Sequence, residues 1–107
     1  MRLAWLYLMI AGIFEIGWPL GFKLSQMTRF RLPFIALAVV SMAFSGFFLW
    51  VAQRGIPVGT AYAVWTGIGV AGTFLIGIAF FGDAAGLLRI LSFLLIIIGV
   101  AGLKLSQ

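Results

Sequence analysis

Four apolar runs of similar length partition the sequence: residues 3–22, 32–52, 56–81 and 87–103. A helix needs about 20 consecutive, mostly apolar residues to cross the hydrocarbon core of a bilayer. The runs are broken only where polar residues or turn formers collect, around Lys23 to Arg31, in "QRGIP" and in "GDAAG". No water is available in the hydrocarbon to satisfy backbone N–H and C=O groups, so segments of this kind form helices. The expectation is an all-α membrane protein, a single domain over residues 1–107 with four transmembrane helices and tight connections. Composition decides against the soluble alternative. The chain is 64% hydrophobic and 8% charged, and a soluble body this small is mostly surface and needs far more charge to cover it.

Several function classes drop out. Cysteine and histidine are both absent, which removes disulfides, thiol chemistry, haem, and zinc sites built on those ligands; no cofactor or metal is expected. The net charge of +5 comes from seven cations placed singly, Arg2, Lys23, Arg29, Arg31, Arg54, Arg89 and Lys104. They flank the apolar runs, as membrane anchors do, and build no basic, aromatic-interleaved patch for nucleic acid. The first run opens like a secretory signal, but Glu15 interrupts it, no A-x-A site follows, and three further runs remain; it is expected to be a permanent helix. With no nucleophile–base pair or phosphate loop in view, an enzyme is not expected. The function belongs inside the membrane.

Lysine and arginine counts set membrane orientation. Arg2, Arg54 and Lys104 fall on one side, and Lys23, Arg29, Arg31 and Arg89 on the other, three against four. Such balance is either chance in a small protein or the mark of a chain that inserts both ways and pairs antiparallel. Four helices enclose little space, so an oligomer is expected in either case.

Glu15 is the residue that most needs explaining. It lies twelve positions after Leu3 and seven before Phe22, too deep for its short side chain to reach the interface. Ionisable residues at such depth mark ion or proton pathways by default. No lysine or arginine sits at comparable depth in another span, so an internal ion pair is a poor explanation. A carboxyl of this kind holds a proton or trades it for a cationic ligand. Asp83, beside Gly82 in a connection, reads instead as a solvated turn residue.

Positions three and four from Glu15 share its helix face: Ala11, Gly12, Trp18 and Pro19. Gly12 leaves room beside the carboxyl, and Trp18 offers an indole N–H and an aromatic wall, or else an interface anchor. Pro19 has no N–H for the Glu15 carbonyl, so a bend is expected there. In "GTAYAVWTGIG", Tyr62, Trp65, Thr66 and Gly69 form one polar and aromatic stripe, suited to cations and to orienting a carboxylate. Ser41 and Ser45, four apart in the second run, also share a face, though each hydroxyl alone can simply bond its own helix. Gly67, Gly69 and Gly72 either permit close packing or soften the third helix into a hinge. Gly99 and Gly102 in the fourth read as packing, which makes that helix the expected dimer contact.

Taken together these residues resemble the small multidrug resistance transporters. The likeness covers nearly the whole chain: four short spans, the lone glutamate in the first, and "PVGTAYAVWTGIG" entering the third. "EIGWPLGFK", with Glu15, Trp18 and Lys23, resembles the guanidinium-exporter subtype rather than the polyaromatic-drug subtype. The resemblance implies an antiparallel, dual-topology homodimer in the bacterial inner membrane, where two glutamates face one pocket and protons and a small guanidinyl cation compete for them. It implies Glu15 as the shared proton and substrate site, with Trp18, Ser45, Tyr62 and Trp65 as its hydrogen-bonding surround and Gly12 lining the pocket; Pro19, Gly67 and Gly69 are expected from the residues themselves to be the flexing positions. The alternatives are export of quaternary ammonium or polyaromatic cations, one subunit of a paired heterodimer, and a non-transporting membrane subunit. The sequence departs from the family pattern at Pro19, at Phe22 and at Asp83-Ala84.

Overall fold

The computed structural model describes residues 2–106. They form four helices: α1 (Arg2–Met27), α2 (Arg31–Ala52), α3 (Val58–Phe80) and α4 (Leu87–Leu105), with no strand among the described residues. All four are long and apolar enough to cross a membrane. The chain is a multi-pass membrane protein.

Several boundaries differ from the expectation, the end of the first helix most. The first helix does not stop at Phe22 but continues to Met27, taking Lys23 and "LSQ" with it. Lysine and glutamine are good helix formers, and local hydroxyls bond the last carbonyls: Ser25 Oγ donates to Phe22 O at 2.6 Å and Thr28 Oγ1 to Leu24 O at 2.9 Å. The connection to α2 is thereby cut to residues 28–30. The third helix starts later than residue 56, because Pro57 takes the N-cap position with an extended ψ of 144° and its carbonyl accepts the Ala61 N–H at 2.9 Å. Pro33 causes no break, since it stands in the first turn of α2, where backbone N–H groups have no helical partner. Pro19 lies in the interior of α1, and the helix runs through it uninterrupted.

α1 is the hub. It packs against α2 along most of its length and against α3 on another side, while α4 leans on α3. The contacts are made by small residues, as expected where lipid offers no drive to bury large apolar groups and close backbone approach takes its place. Ala11, Ala38, Ala52, Ala61 and Ala71 are buried, with Leu8, Ile56 and Val64 as the larger members. At Gly21 a Cβ would stand 2.8 Å from the Phe34 carbonyl oxygen and 3.0 Å from the Ala38 amide nitrogen, so α1 and α2 touch almost backbone to backbone. Gly67 instead receives the Val100 side chain of α4. α4 itself buries no residue, and Gly99 and Gly102 have nothing within 4 Å of a Cβ position.

Because the wall at Gly21 is backbone and cannot step aside, Gly21→Val should force α1 from α2 and destabilise the fold by about 1–3 kcal/mol. Gly46→Ala on α2, whose Cβ meets nothing within 4 Å, should be neutral or slightly stabilising. Thermal unfolding in detergent, followed by size exclusion, compares them; equal losses would contradict the packing described.

Candidate functional site

Glu15 is placed by the middle of α1, which faces α2 on one side and α3 on the other. The Trp18 indole, one turn on, donates Nε1–H to Glu15 Oε1 at 2.7 Å. Ser45 of α2 is fully buried; its hydroxyl donates to the Ala11 carbonyl at 2.8 Å and lies 3.4 Å from the same Glu15 oxygen. Trp65 of α3 donates Nε1–H to Ser45 Oγ at 2.8 Å. Three helices are thus joined by one chain of polar groups, Trp65 to Ser45 to α1, with Trp18 closing on the carboxylate. A serine hydroxyl has one proton, so Ser45 serves either Ala11 O or Glu15, and its shorter bond is to the carbonyl. Both polar contacts to the carboxylate reach Oε1; among the described residues none reaches Oε2.

Room for the carboxyl comes from Gly69 of α3. A Cβ there would stand 2.5 Å from Glu15 Cγ and 3.2 Å from its Cβ. Glu15, Trp18, Pro19, Gly69, Thr66, Thr73 and Asp83 border a cleft of about 320 Å³ together with Val70 and Phe74. The hydroxyls Thr66 Oγ1 and Thr73 Oγ1 are buried with no partner among the described residues. A buried polar group left so costs about 1–3 kcal/mol, which a polar occupant of the cleft would return.

The cations stay away from this centre. Among the described residues, no lysine or arginine forms a salt bridge, within the 4.0 Å limit for one, with either acid. They lie near helix ends over aromatic rings: Arg54 at 4.5 Å from the Trp50 centroid, Arg89 at 5.0 Å from Phe74, Lys104 at 5.5 Å from Trp5. Such contacts suit side chains snorkelling to the interface. Among the described residues, Glu15 therefore has hydrogen-bond donors but no counter-charge.

The residues singled out in the sequence divide as follows. Trp18, Ser45 and Trp65 gather with Glu15. Tyr62 is 57% exposed and stacks obliquely on Trp65, ring centroids 5.5 Å apart, without reaching the carboxyl within this chain. Gly12 faces Ile68 rather than open space, and it is Gly69 that makes room for Glu15. Gly67 and Gly69 lie in an unbroken α3. Ser41 is buried against Gly17, on the same α2 face as Ser45. Thr73 and Asp83 were not anticipated. The spacing of Thr66, Gly69 and Thr73, three and then four residues apart, was the available signal for the first.

A family model described as small multidrug resistance protein matches residues 3–96. The chain belongs to the small multidrug resistance family. Relatives named guanidinium exporter include that of Yersinia pseudotuberculosis serotype I, 48% identical over 105 residues that cover 98% of this chain and all of the relative. That of Proteus vulgaris is 41% identical over 108 residues, 98% of this chain and 100% of the relative. That of Escherichia coli K12 is 42% identical over 104 residues, 97% and 98%. These proteins are transporters and not enzymes.

Within the family geometry, Gly69→Ala should push the Glu15 side chain off Trp18. The Trp18 indole, losing its charged partner, should shift its fluorescence, while Gly99→Ala, made in open space, should leave the spectrum unchanged. An unaltered spectrum in Gly69→Ala would show that Glu15 does not rest on that glycine.

Proposed function

We propose that the protein is a proton-coupled antiporter that exports guanidinium or small substituted guanidinyl cations, working as an antiparallel homodimer in the bacterial inner membrane. The observation that carries this reading is Glu15: a carboxyl in mid-span, held through one oxygen by Trp18, with no cation beside it. An acid in that state has two ways of shedding its charge in low dielectric. It takes up a proton, or it binds a cation. Because the same group does both, the two events exclude each other, and exchange follows from competition. Protonation releases the substrate, and substrate arrival requires the proton to leave.

A guanidinium ion is planar and permanently charged, with N–H donors set in a fork that matches a carboxylate. Two Glu15 side chains, one from each protomer, would grip opposite edges of it. Trp18 holds Oε1 and leaves Oε2 for the ligand. Ser45, tied to Trp65, fixes the ring that walls the site and has a hydroxyl that can turn to Glu15 when the bond to Ala11 is given up. The relatives' name, guanidinium exporter, supports the choice of cation. The three-to-four balance of flanking cations supports insertion in both orientations, and the uncovered α4, with Gly99 and Gly102 open, supports that helix as the dimer contact. Pro19 and the glycines Gly67 and Gly69 are the positions where α1 and α3 would flex between the two openings.

Purified protein in liposomes on a solid-supported membrane should give a guanidinium-evoked current, and Glu15→Gln should abolish it, because one group carries both ions. Proton-driven exchange retained in Glu15→Gln would overturn the mechanism. Current with large quaternary ammonium ions and none with guanidinium would assign the protein to drug export instead.

Pro19 borders the cleft, and its missing N–H loosens α1 beside Glu15. Pro19→Ala should therefore tighten the site and lower transport of alkyl-substituted guanidines relative to guanidinium by several-fold. An unchanged ratio in paired current measurements would remove the proline from specificity.

A further inference from the structure

The chain's second acid is used by nothing above, yet it borders the same cleft as Glu15. Asp83 is exposed in the connection between α3 and α4, and the backbone folds it back over α3. Gly82 makes the reversal with a φ of 72°, a left-handed conformation that glycine adopts at little cost. The Asp83 and Phe81 N–H groups both donate to the Gly77 carbonyl at 3.1 Å. Gly77 is tight against the Asp83 carboxylate, so that any Cβ there would strike Oδ2. From the α4 side, Arg89 Nε donates to the Ala84 carbonyl at 2.7 Å, which fixes the loop while that guanidinium lies over Phe74. The acid is therefore held in place.

What lies between the two acids is polar and small. Gly69 touches Glu15, Gly77 touches Asp83, and Thr73 stands midway, four residues from each. The three positions make one face of α3, with Thr66 one turn before Gly69. Eight residues separate the two glycines, roughly 12 Å along the helix axis. Thr73 Oγ1 is buried without a partner, and Thr73 borders both this cleft and a neighbouring cavity of about 230 Å³ that Lys23 and Asp83 share.

We propose that Asp83 and the Thr73 hydroxyl form an outer binding subsite for a guanidinyl cation, from which the ion passes along α3 to Glu15. The carboxylate takes two N–H groups of the planar cation, and the hydroxyl oxygen accepts a third as the ion moves inward. Lys23 borders the neighbouring cavity and the Arg89 guanidinium lies over Phe74, a residue of the cleft; both repel an approaching cation, and Asp83 offsets them. The proposal rests on the exchange reading above and adds a second station to it.

The test compares wild type, Asp83→Asn, Thr73→Val and Glu15→Gln, reading guanidinium-evoked current in liposomes and, in parallel, guanidinium binding to the detergent-solubilised protein by tryptophan fluorescence. Asp83→Asn keeps the shape of the side chain, and acids weigh little in membrane orientation. Removing a unit charge at that distance should raise the KM by roughly three- to tenfold, with a smaller effect on maximal current. The gap should narrow near 0.5 M salt, where the screening length falls to about 4 Å, without vanishing, because a carboxylate in contact with the cation is screened less than a remote one. Thr73→Val should raise the KM less, without the salt dependence. A KM unchanged in Asp83→Asn, or changed equally at all salt concentrations, overturns the outer subsite. Wild-type binding without current overturns exchange but leaves the binding comparison to decide the subsite; no binding in wild type overturns both.

Discussion

A carboxyl group in the middle of a lipid-facing helix is tolerable only if something takes its charge. In this chain, the described structure supplies hydrogen bonds to Glu15 and withholds a counter-ion. Trp18 gives Glu15 a hydrogen bond, but an indole dipole is not a positive charge, and Arg54, Arg89 and Lys104 lie over rings near the helix ends. The remainder of the structure answers to this imbalance. α2 contributes a buried hydroxyl that neither neutralises the acid nor leaves it alone. α3 contributes a glycine where any larger residue would displace it. Had a lysine stood opposite Glu15, the site would be a stable ion pair with nothing left to exchange.

The same small-residue packing that assembles the helices also shapes the cleft. Between α1 and α2 the contact is nearly backbone to backbone at Gly21, which holds Ser45 at a fixed height against Ala11. Trp65 is in turn held by Ser45. The position of an α3 side chain is thus set through a hydroxyl on α2 that is itself bonded to α1, and a change at any one of the three is felt by the others. Polar links of this sort are worth only about 0.6 kcal/mol each on average between membrane helices. They are therefore strong enough to register the helices and weak enough to be remade when the helices move.

Much of this was legible in the sequence, and the rest was hidden for identifiable reasons. The four spans follow from hydropathy, because a bilayer sorts residues by polarity over a length no soluble fold imposes. The Glu15–Trp18 bond follows from a spacing of three on one helix. What spacing cannot give is the partner across a helix–helix contact. Gly12 is the position expected to make space, and Gly69 the one expected to pack or flex; only the approach of α3 shows that Gly12 receives Ile68 and Gly69 receives Glu15. Tyr62 belongs to the right stripe by period yet points away from Glu15 in the single chain, since a stripe covers a wide arc and only part of it faces α1. Lys23 was taken as the end of a span because it is charged, although a lysine extends a helix readily and its head can reach water from inside the last turns. Asp83 reads as a solvated turn residue, and it lies in the connection between α3 and α4; nothing in the sequence signals that Gly82 and Gly77 fold that connection back over the cleft.

Pro19 joins these threads. Inside a helix a proline costs about 3 kcal/mol or more through a lost hydrogen bond and a clash with the carbonyl four residues back, and here that carbonyl belongs to Glu15. The residue whose side chain waits for a cation thus has a main-chain oxygen short of its usual donor as well. In a membrane such a freed carbonyl finds a neighbouring group or ordered water, and the cleft bordered by Pro19 contains two unpartnered hydroxyls, those of Thr66 and Thr73. Pro19 borders both that cleft and the neighbouring cavity shared by Lys23 and Asp83. Thr73 borders both as well, on the path proposed between the two acids. A helix that only had to span would gain by losing this proline. A helix that must widen and close beside its own carboxyl has a use for a turn whose hydrogen bond was never made.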